Sequence, residues 1–126
     1  MEKKIINSPL APAPIGPYNQ AVMVNGMLFI SGQIALVPST GELNMPDIET
    51  ETKQVMENLK AILNEAGLSF NHIIKTTIFL SDMAHFATVN GIYATYFSAD
   101  FPARETIAVA GLPKGVNVEI SMIAAG

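Results

Sequence analysis

A two-residue turn signal, Asn25-Gly26, constrains the fold of this chain more than any other local feature. It separates two runs rich in aliphatic and β-branched residues, 18–24 and 27–34. Asn-Gly favours a tight hairpin because both residues tolerate positive φ, and the resulting turn matches the twist of paired strands. The sequence therefore predicts an antiparallel hairpin, and with it a sheet on which later segments must pack.

The segments around this hairpin predict an α+β domain with the order β-β-β-α-β-α-β-β. Apolar residues at helical spacing follow Asp47, the predicted N-cap, and this helix is predicted to end at Gly67. A second helix is predicted after Ser81-Asp82, with a buried stripe of Phe86, Val89, Tyr93 and Phe97. The remaining strands are predicted at 3–6, 73–80, 104–110 and 116–124.

The length and the distribution of apolar residues predict one domain, 1–126, that associates with copies of itself. A chain of 126 residues can bury one core but is too short for two. Two helices can cover only one face of the sheet, yet the segments 27–30 and 107–110 are apolar on both faces. The other face is therefore predicted to be buried by a second subunit.

The charged and reactive residues exclude several classes of function. The absence of cysteine removes disulfides, thiolate nucleophiles and cysteine-ligated metals, and His72 and His85 lack metal-binding spacing, so no metal site is predicted. A net charge of −4 with scattered lysines argues against a nucleic-acid surface. No apolar run approaches the roughly 20 residues that span a bilayer. The N-terminus lacks a signal-peptide pattern, so a cytoplasmic location without a membrane partner is predicted.

The only arginine, Arg104, follows the turn Phe101-Pro102-Ala103 at the start of a predicted strand. Its guanidinium is permanently charged and offers a planar fork that matches a carboxylate in two parallel hydrogen bonds, whereas lysine is a flexible point charge. Arg104 is therefore a candidate anion-binding residue. The alternative is a solvated residue that does no more than begin a strand.

Alternation in the last predicted strand separates Glu119 from an aliphatic row of Val116, Val118, Ile120 and Met122. If that row packs under the helices, Glu119 looks into the subunit interface. Desolvation there would raise the pKa of its carboxyl towards neutrality, which makes Glu119 a candidate general acid or base. The alternative is a solvent-facing glutamate on an edge strand.

Four other positions have both a functional and a structural interpretation. Gly32, beside Ser31, would let a ligand or another backbone approach closely, although a strand glycine also marks bulges. Tyr18 is either part of a site or a core aromatic, and Asn90 is either part of a site or a polar residue on the second helix. Together with Arg104 and Glu119 they are consistent with recognition of a small carboxylate-bearing molecule at a site that needs no cofactor.

Six ordered segments of the chain resemble the Rid (reactive intermediate deaminase, or YjgF) family, and Arg104 is similar to the arginine that marks its RidA-type branch. The segments are 15–18, 31–34, 75–80, 86–90, 101–104 and 118–120. The resemblance implies a chorismate-mutase-like α+β fold, a mixed sheet with two helices on one face. It also implies a homotrimer around a central barrel, with sites between neighbouring subunits.

The resemblance further implies hydrolysis of the enamine 2-aminoacrylate and of the imines 2-iminopropanoate and 2-iminobutanoate to a 2-oxo acid and ammonia, without a cofactor. Arg104 would clamp the substrate carboxylate, and Glu119 would activate water and transfer protons. The substrate pocket would include Tyr18, Ser31, Gly32, Asn90 and Thr106. Thr106 stands where many relatives have cysteine, and a contact through its backbone would be preserved.

Two other functions remain as alternatives. One is a non-catalytic regulatory module that binds a small metabolite anion in the same cleft. The other is an endoribonuclease or translation inhibitor, against which the sequence has neither a histidine pair placed for phosphodiester cleavage nor a basic stripe.

Overall fold

Six strands and two α-helices form a mixed α+β structure in the computed structural model, which describes residues 2–126. The strands are β1 (Lys4–Ile6), β2 (Ala21–Val24), β3 (Met27–Gln33), β4 (Ile73–Leu80), β5 (Ala103–Ala108) and β6 (Val118–Ala125), and the helices are α1 (Ile48–Glu65) and α2 (Phe86–Ala94). They form one sheet in the order β1-β2-β3-β6-β4-β5. Among the strands of residues 2–126, β4 and β5 are parallel neighbours and the other pairs are antiparallel. The predicted order of strands and helices is confirmed.

The hairpin lies where the turn signal predicts it. Asn25 has φ 52° and Gly26 has φ 77°, and Val24 pairs with Met27 in antiparallel register. The first of its strands is shorter than predicted, because β2 begins at Ala21 and leaves Tyr18 outside the sheet. Gln20 explains this boundary, since its buried side chain binds the preceding proline-rich segment through the contacts Ser8 N to Oε1 (2.6 Å), Nε2 to Ser8 O (3.0 Å) and Nε2 to Pro12 O (2.9 Å).

The first helix matches its prediction closely. Asp47 is the N-cap and accepts a hydrogen bond from Thr50 N at 2.7 Å, and Gly67 has φ 75° just after the helix ends. Its fully buried apolar residues are Val55, Met56, Leu59, Ile62 and Leu63. This stripe packs on the sheet and forms the centre of the core.

The second helix is shorter than its stripe predicts. A 3₁₀ turn over Met83–His85, capped by Asp82 through Ala84 N at 2.8 Å, precedes α2. Val89 is buried as predicted, but Phe86 is 36% exposed. Phe97 lies beyond the end of the helix, where it packs against the edge of the core.

The two faces of the sheet differ in what covers them. The face under the helices holds the core residues Leu28, Ile30, Ile78, Leu80, Ile120 and Met122. On the other face Phe29 and Ile107 are each 44% exposed. An apolar face without cover is thus present, as the sequence predicts, and β6 lies between β3 and β4 rather than at an edge.

The last two strands begin or end away from their predicted boundaries. β5 ends at Ala108, and the connection to β6 contains a 3₁₀ turn over Pro113–Gly115 with Lys114 at φ 55°. β6 begins at Val118 because the backbone N–H groups of Asn117 and Val118 donate to the carboxylate of Glu51 on α1, at 2.7 and 3.0 Å. No helix within residues 2–126 is long and apolar enough to cross a membrane.

Candidate active site

The first part of the candidate site is a cleft of about 410 Å³ beside Glu119, which we call the Glu119 cleft. It includes four positions that the sequence singled out: Tyr18, Ser31, Gly32 and Glu119. Apolar walls come from Pro12, Ile15, Ile34, Leu36 and Pro113. The cleft therefore joins the proline-rich segment, the end of β3, the start of β6 and the turn before it. Tyr18 is 47% exposed, so the alternative prediction that it is an aromatic residue of the core is wrong.

Gly32 lies directly against the carboxylate of Glu119. A Cβ atom at position 32 would stand 2.7 Å from Glu119 Oε2 and 2.9 Å from its Cδ, closer than van der Waals contact allows. The register of β3 against β6 also shifts between Ile30 and Gln33, so both interpretations of this glycine hold. Any side chain here would displace the carboxylate from its position.

Burial changes the proton affinity of Glu119. Desolvation raises the pKa of its carboxyl above the ordinary value for glutamate, and no neighbouring charge or hydrogen bond within residues 2–126 offsets this effect. The predicted direction is confirmed. A carboxylate that is poorly solvated accepts a proton more readily and can return it at a pH nearer to neutrality.

The second part of the candidate site is a separate cleft, also of about 410 Å³, which we call the Arg104 cleft. Its lining is Asn90, Tyr93, Ala94, Phe101, Pro102 and Arg104. Arg104 Nη1 donates to Asn90 Oδ1 at 2.7 Å. The guanidinium carbon lies 5.1 Å from the ring centre of Tyr93 and 5.8 Å from that of Phe86, within the range of cation–π attraction. Arg104 is therefore a half-buried cation whose guanidinium is fixed by neighbouring side chains, and not a solvated residue that only begins a strand.

Arg104 makes no ion pair with a carboxylate within residues 2–126. The one ion pair among these residues joins Lys75 Nζ to Glu105 Oε2 at 3.2 Å, on the other face of the sheet. Asn90 is a neutral partner, so it orients the guanidinium and leaves its charge uncompensated. The remaining N–H donors of Arg104 are thus available to an anion.

The two clefts lie on opposite faces of the sheet. Arg104 is the register partner of Thr76, which pairs with Met122, and both of these residues are buried under the helices. Glu119 is the register partner of Phe79 and projects from the other face. A single chain therefore does not bring Glu119 within reach of Arg104.

Thr106 lies on the same side of β5 as Arg104, two residues along the strand. It pairs with Ile78, and its Oγ1 is buried without a hydrogen-bond partner within residues 2–126. The contact that the family resemblance implies for its backbone stays a prediction.

Three buried polar residues that shape the Glu119 cleft have no local signal in the sequence. Besides Gln20, Asn58 donates to the carbonyls of Ile34 and Leu36 at 3.1 and 2.9 Å. The third is Glu51 in the first turn of α1, where the sequence alone suggests only a residue that complements the helix dipole. Partners up to 67 residues away in the chain give these residues their roles, so periodicity could not reveal them.

No group of three or more acidic or histidine side chains within residues 2–126 is placed to hold a metal ion. His72 takes part in a local turn, where its Nδ1 accepts a hydrogen bond from Ser69 N at 3.0 Å. His85 is the residue that precedes α2. Neither histidine lines either of the two clefts.

The chain matches a protein family over nearly its whole length. The family model described as endoribonuclease L-PSP matches residues 8–126. The 2-iminobutanoate/2-iminopropanoate deaminase of Mus musculus is 50% identical over 122 residues, which cover 97% of this chain and 90% of the mouse protein.

Two solved structures are similar over nearly the whole chain. A protein of unknown function of the conserved Rid protein family from Yersinia pestis has a TM-score of 0.97 and 48% identity, covering 99% of this chain and 100% of that chain. Escherichia coli TdcF with bound serine has a TM-score of 0.93 and 44% identity, covering 98% of each chain.

Proposed function

Since this chain belongs to the Rid family, we propose that it hydrolyses the imines 2-iminopropanoate and 2-iminobutanoate, and the enamine 2-aminoacrylate after its tautomerisation, to a 2-oxo acid and ammonia. The observation that carries the proposal is Arg104, a tethered guanidinium with no carboxylate partner within residues 2–126. Half of the residues aligned with the mouse deaminase are identical, which supports the same substrate class. The serine in the TdcF structure is also a small carboxylate-bearing molecule.

The complete site in this proposal forms between two subunits. Arg104 and Glu119 lie on opposite faces of one chain, so a neighbouring subunit must bring the missing half. The uncovered apolar face and the open outer side of β5, which pairs only with β4, are the surfaces available for this contact. A chorismate-mutase-like trimer around a barrel, with one site in each of its clefts, satisfies these requirements.

Arg104 and Glu119 divide the chemistry between them. Arg104 binds the substrate carboxylate through two parallel hydrogen bonds and holds the imine carbon beside Glu119. The Glu119 carboxylate takes a proton from water as the water oxygen bonds to that carbon, and then delivers the proton to the nitrogen. In the carbinolamine that results, Glu119 then takes the hydroxyl proton and passes it to the nitrogen, so the carbonyl forms as the carbon–nitrogen bond breaks and neutral ammonia leaves.

The raised pKa of Glu119 suits both of its steps, since the same carboxyl first accepts and then donates a proton. Imines already hydrolyse in water, so orientation together with proton transfer, which contributes roughly 10²- to 10⁴-fold, is sufficient. In this proposal the imine carbon is bordered by Tyr18, Ser31 and Gly32 of the Glu119 cleft. The part of the site that contains Arg104 also contains Asn90 and Thr106.

The direct test couples the protein to a dehydratase that releases 2-aminoacrylate or its four-carbon homologue in situ. Release of the corresponding three- or four-carbon 2-oxo acid and of ammonia should be faster when the protein is added. Arg104→Lys keeps the charge but loses the planar fork, so kcat/KM should fall about 10- to 100-fold. Lys53→Ala, which removes an exposed cation on α1, is the control and should leave the rate unchanged. A fully active Arg104→Lys would exclude the two-bond clamp.

The same preparation distinguishes the two alternative functions. A regulatory module would bind 2-oxobutanoate in calorimetry, release no ammonia, and keep its affinity in Glu119→Gln. The family model carries the name of an endoribonuclease, so RNA cleavage is measured as well. Cleavage that is lost in Arg104→Ala and retained in protein repurified from a nuclease-deficient host would favour a ribonuclease over the deaminase.

A further inference from the structure

The guanidinium of Arg104 is held by aromatic rings as well as by a hydrogen bond. Tyr93 is the nearer of the two rings, at 5.1 Å from the guanidinium carbon, and Phe86 stands at 5.8 Å. Asn90 binds only Nη1. One hydrogen bond does not fix the plane of a guanidinium group, because rotation about that bond remains open, so the two rings are the contacts left to restrict that plane.

Tyr93 is itself held in place by burial and by a hydrogen bond. Its side chain is 3% exposed, and its hydroxyl donates to Thr76 Oγ1 at 2.9 Å. Burial raises the pKa of this phenol, which keeps it neutral and able to donate. Thr76 is also the register partner of Arg104, so the ring is anchored to the strand position beside the arginine that it supports.

An aromatic cluster extends from Tyr93 to the mouth of the Arg104 cleft. The ring of Tyr93 lies 4.8 Å from that of Phe97, and Phe97 lies 5.9 Å from Phe101, which lines the cleft. Phe97 makes no cation–π contact with Arg104 within residues 2–126. The ring of Tyr93 therefore contacts the guanidinium, whereas the adjacent ring of Phe97 packs against Tyr93 without such a contact.

We propose that Tyr93 is a positioning residue that sets the plane of the Arg104 fork and thereby the affinity for the substrate carboxylate. This inference rests on the proposed function only in taking a carboxylate as the ligand. Loss of the ring should weaken carboxylate binding roughly tenfold, within the range of a partly desolvated cation–π contact. The effect should fall mainly on KM, with a smaller loss in kcat, because Arg104 binds the carboxylate in both the ground state and the transition state.

The experiment compares three variants of the full chain. Tyr93→Leu removes the ring and the hydroxyl, Tyr93→Phe removes only the bond to Thr76, and Phe97→Leu removes a neighbouring ring of the same cluster. For each variant, thermal unfolding, the Kd for 2-oxobutanoate by calorimetry, and kcat and KM in the coupled assay are measured. Tyr93→Phe should keep the Kd within about threefold, since the ring remains over the guanidinium.

The outcomes separate a positioning role from general damage. Tyr93→Leu should raise the Kd and KM about tenfold, whereas Phe97→Leu should lower the melting temperature with little change in either constant. Equal losses of affinity in Tyr93→Leu and Phe97→Leu would overturn the inference, as would unchanged affinity in Tyr93→Leu. If the wild-type chain binds 2-oxobutanoate without turnover, the proposed deaminase fails, and the calorimetric comparison still decides the role of Tyr93.

Discussion

The two clefts hold their charged residues by opposite means. Glu119 projects into a cleft with apolar walls where no described donor or cation stabilises its charge, and its pKa rises in consequence. Arg104 is tethered by Asn90 and supported by Tyr93 and Phe86. A group that exchanges protons benefits from an environment that weakens its charged form, whereas a clamp needs a constant charge in a constant plane. The difference predicts which property each substitution should change.

The largest effect is expected from Glu119→Gln. The amide keeps the shape of the side chain but cannot accept the proton of the attacking water, so kcat should fall about 10²- to 10⁴-fold in the coupled assay. The melting temperature at pH 7 should rise, because a poorly solvated charge is removed. Glu65→Gln, which alters an exposed carboxylate at the end of α1 that lines neither cleft, is the control. Full activity in Glu119→Gln would assign the proton transfer to another group.

Mixing two inactive variants tests whether the clefts complete each other across a subunit boundary. In random trimers of Arg104→Ala and Glu119→Gln chains, a site is intact only when each partner contributes its unaltered residue, so about a quarter of the sites should be active. Co-expressed chains with two affinity tags allow mixed assemblies to be purified and assayed. If mixed assemblies are no more active than either parent, the proposed site between subunits is excluded.

A smaller effect is expected from Gly32→Ala. The added Cβ meets Glu119 Oε2 at 2.7 Å and pushes the carboxylate aside, so kcat should fall about tenfold while the chain stays folded. Gly91→Ala is the matched control, because a Cβ there has no neighbour within 4 Å and Gly91 lies inside α2. That control should keep full activity and gain about 0.5–1 kcal/mol of unfolding free energy. Similar activity in the two variants would show that the position of the carboxylate is not critical.

The smallest effect is a shift in the pH dependence of kcat and of stability, which we expect from the titration of Glu119. Because its folded-state pKa is raised, the acidic limb of kcat should lie at higher pH than for an ordinary glutamate, with activity increasing as the carboxyl ionises. The sign for stability is the reverse. The contribution of the protonated carboxyl is fully present below the unfolded pKa and is lost as pH rises through the folded pKa.

Urea unfolding of the wild type and Glu119→Gln at several pH values measures that contribution. The stability of the wild type relative to the variant should decline as pH rises through this window. A difference that is constant over pH would mean that the carboxyl is not desolvated. Arg104 stays charged throughout, so a step in carboxylate binding within this window would also belong to Glu119.

The sequence predicted the parts of the fold that depend on near neighbours. The Asn25-Gly26 turn and the Asp47 cap are confirmed, since each depends on residues within a few positions of it. The prediction failed where a distant partner decides. β2 begins later in the sequence than predicted because Gln20 binds residues 8–12. β6 also begins later than predicted, because Glu51 binds residues 117 and 118.

The sequence named residues that line the two candidate clefts, but it did not reveal how these residues are arranged in one chain. Tyr18, Ser31, Gly32 and Glu119 do line one cleft, and Asn90 does bind Arg104. What the sequence could not reveal is that these are two groups on opposite faces. Tyr93 was predicted only as a buried helix residue, since its contact with Arg104 appears only when α2 packs beside β5.

The local elements, the strands that are apolar on both faces and the single arginine among lysines can all be inferred from the sequence, because each follows from composition or from spacing along the chain. The central position of β6, the desolvation of Glu119 on it and the opposite orientation of Arg104 follow from the folded arrangement of the strands. Strand order joins residues far apart in the chain, and periodicity carries no information about which strands become neighbours.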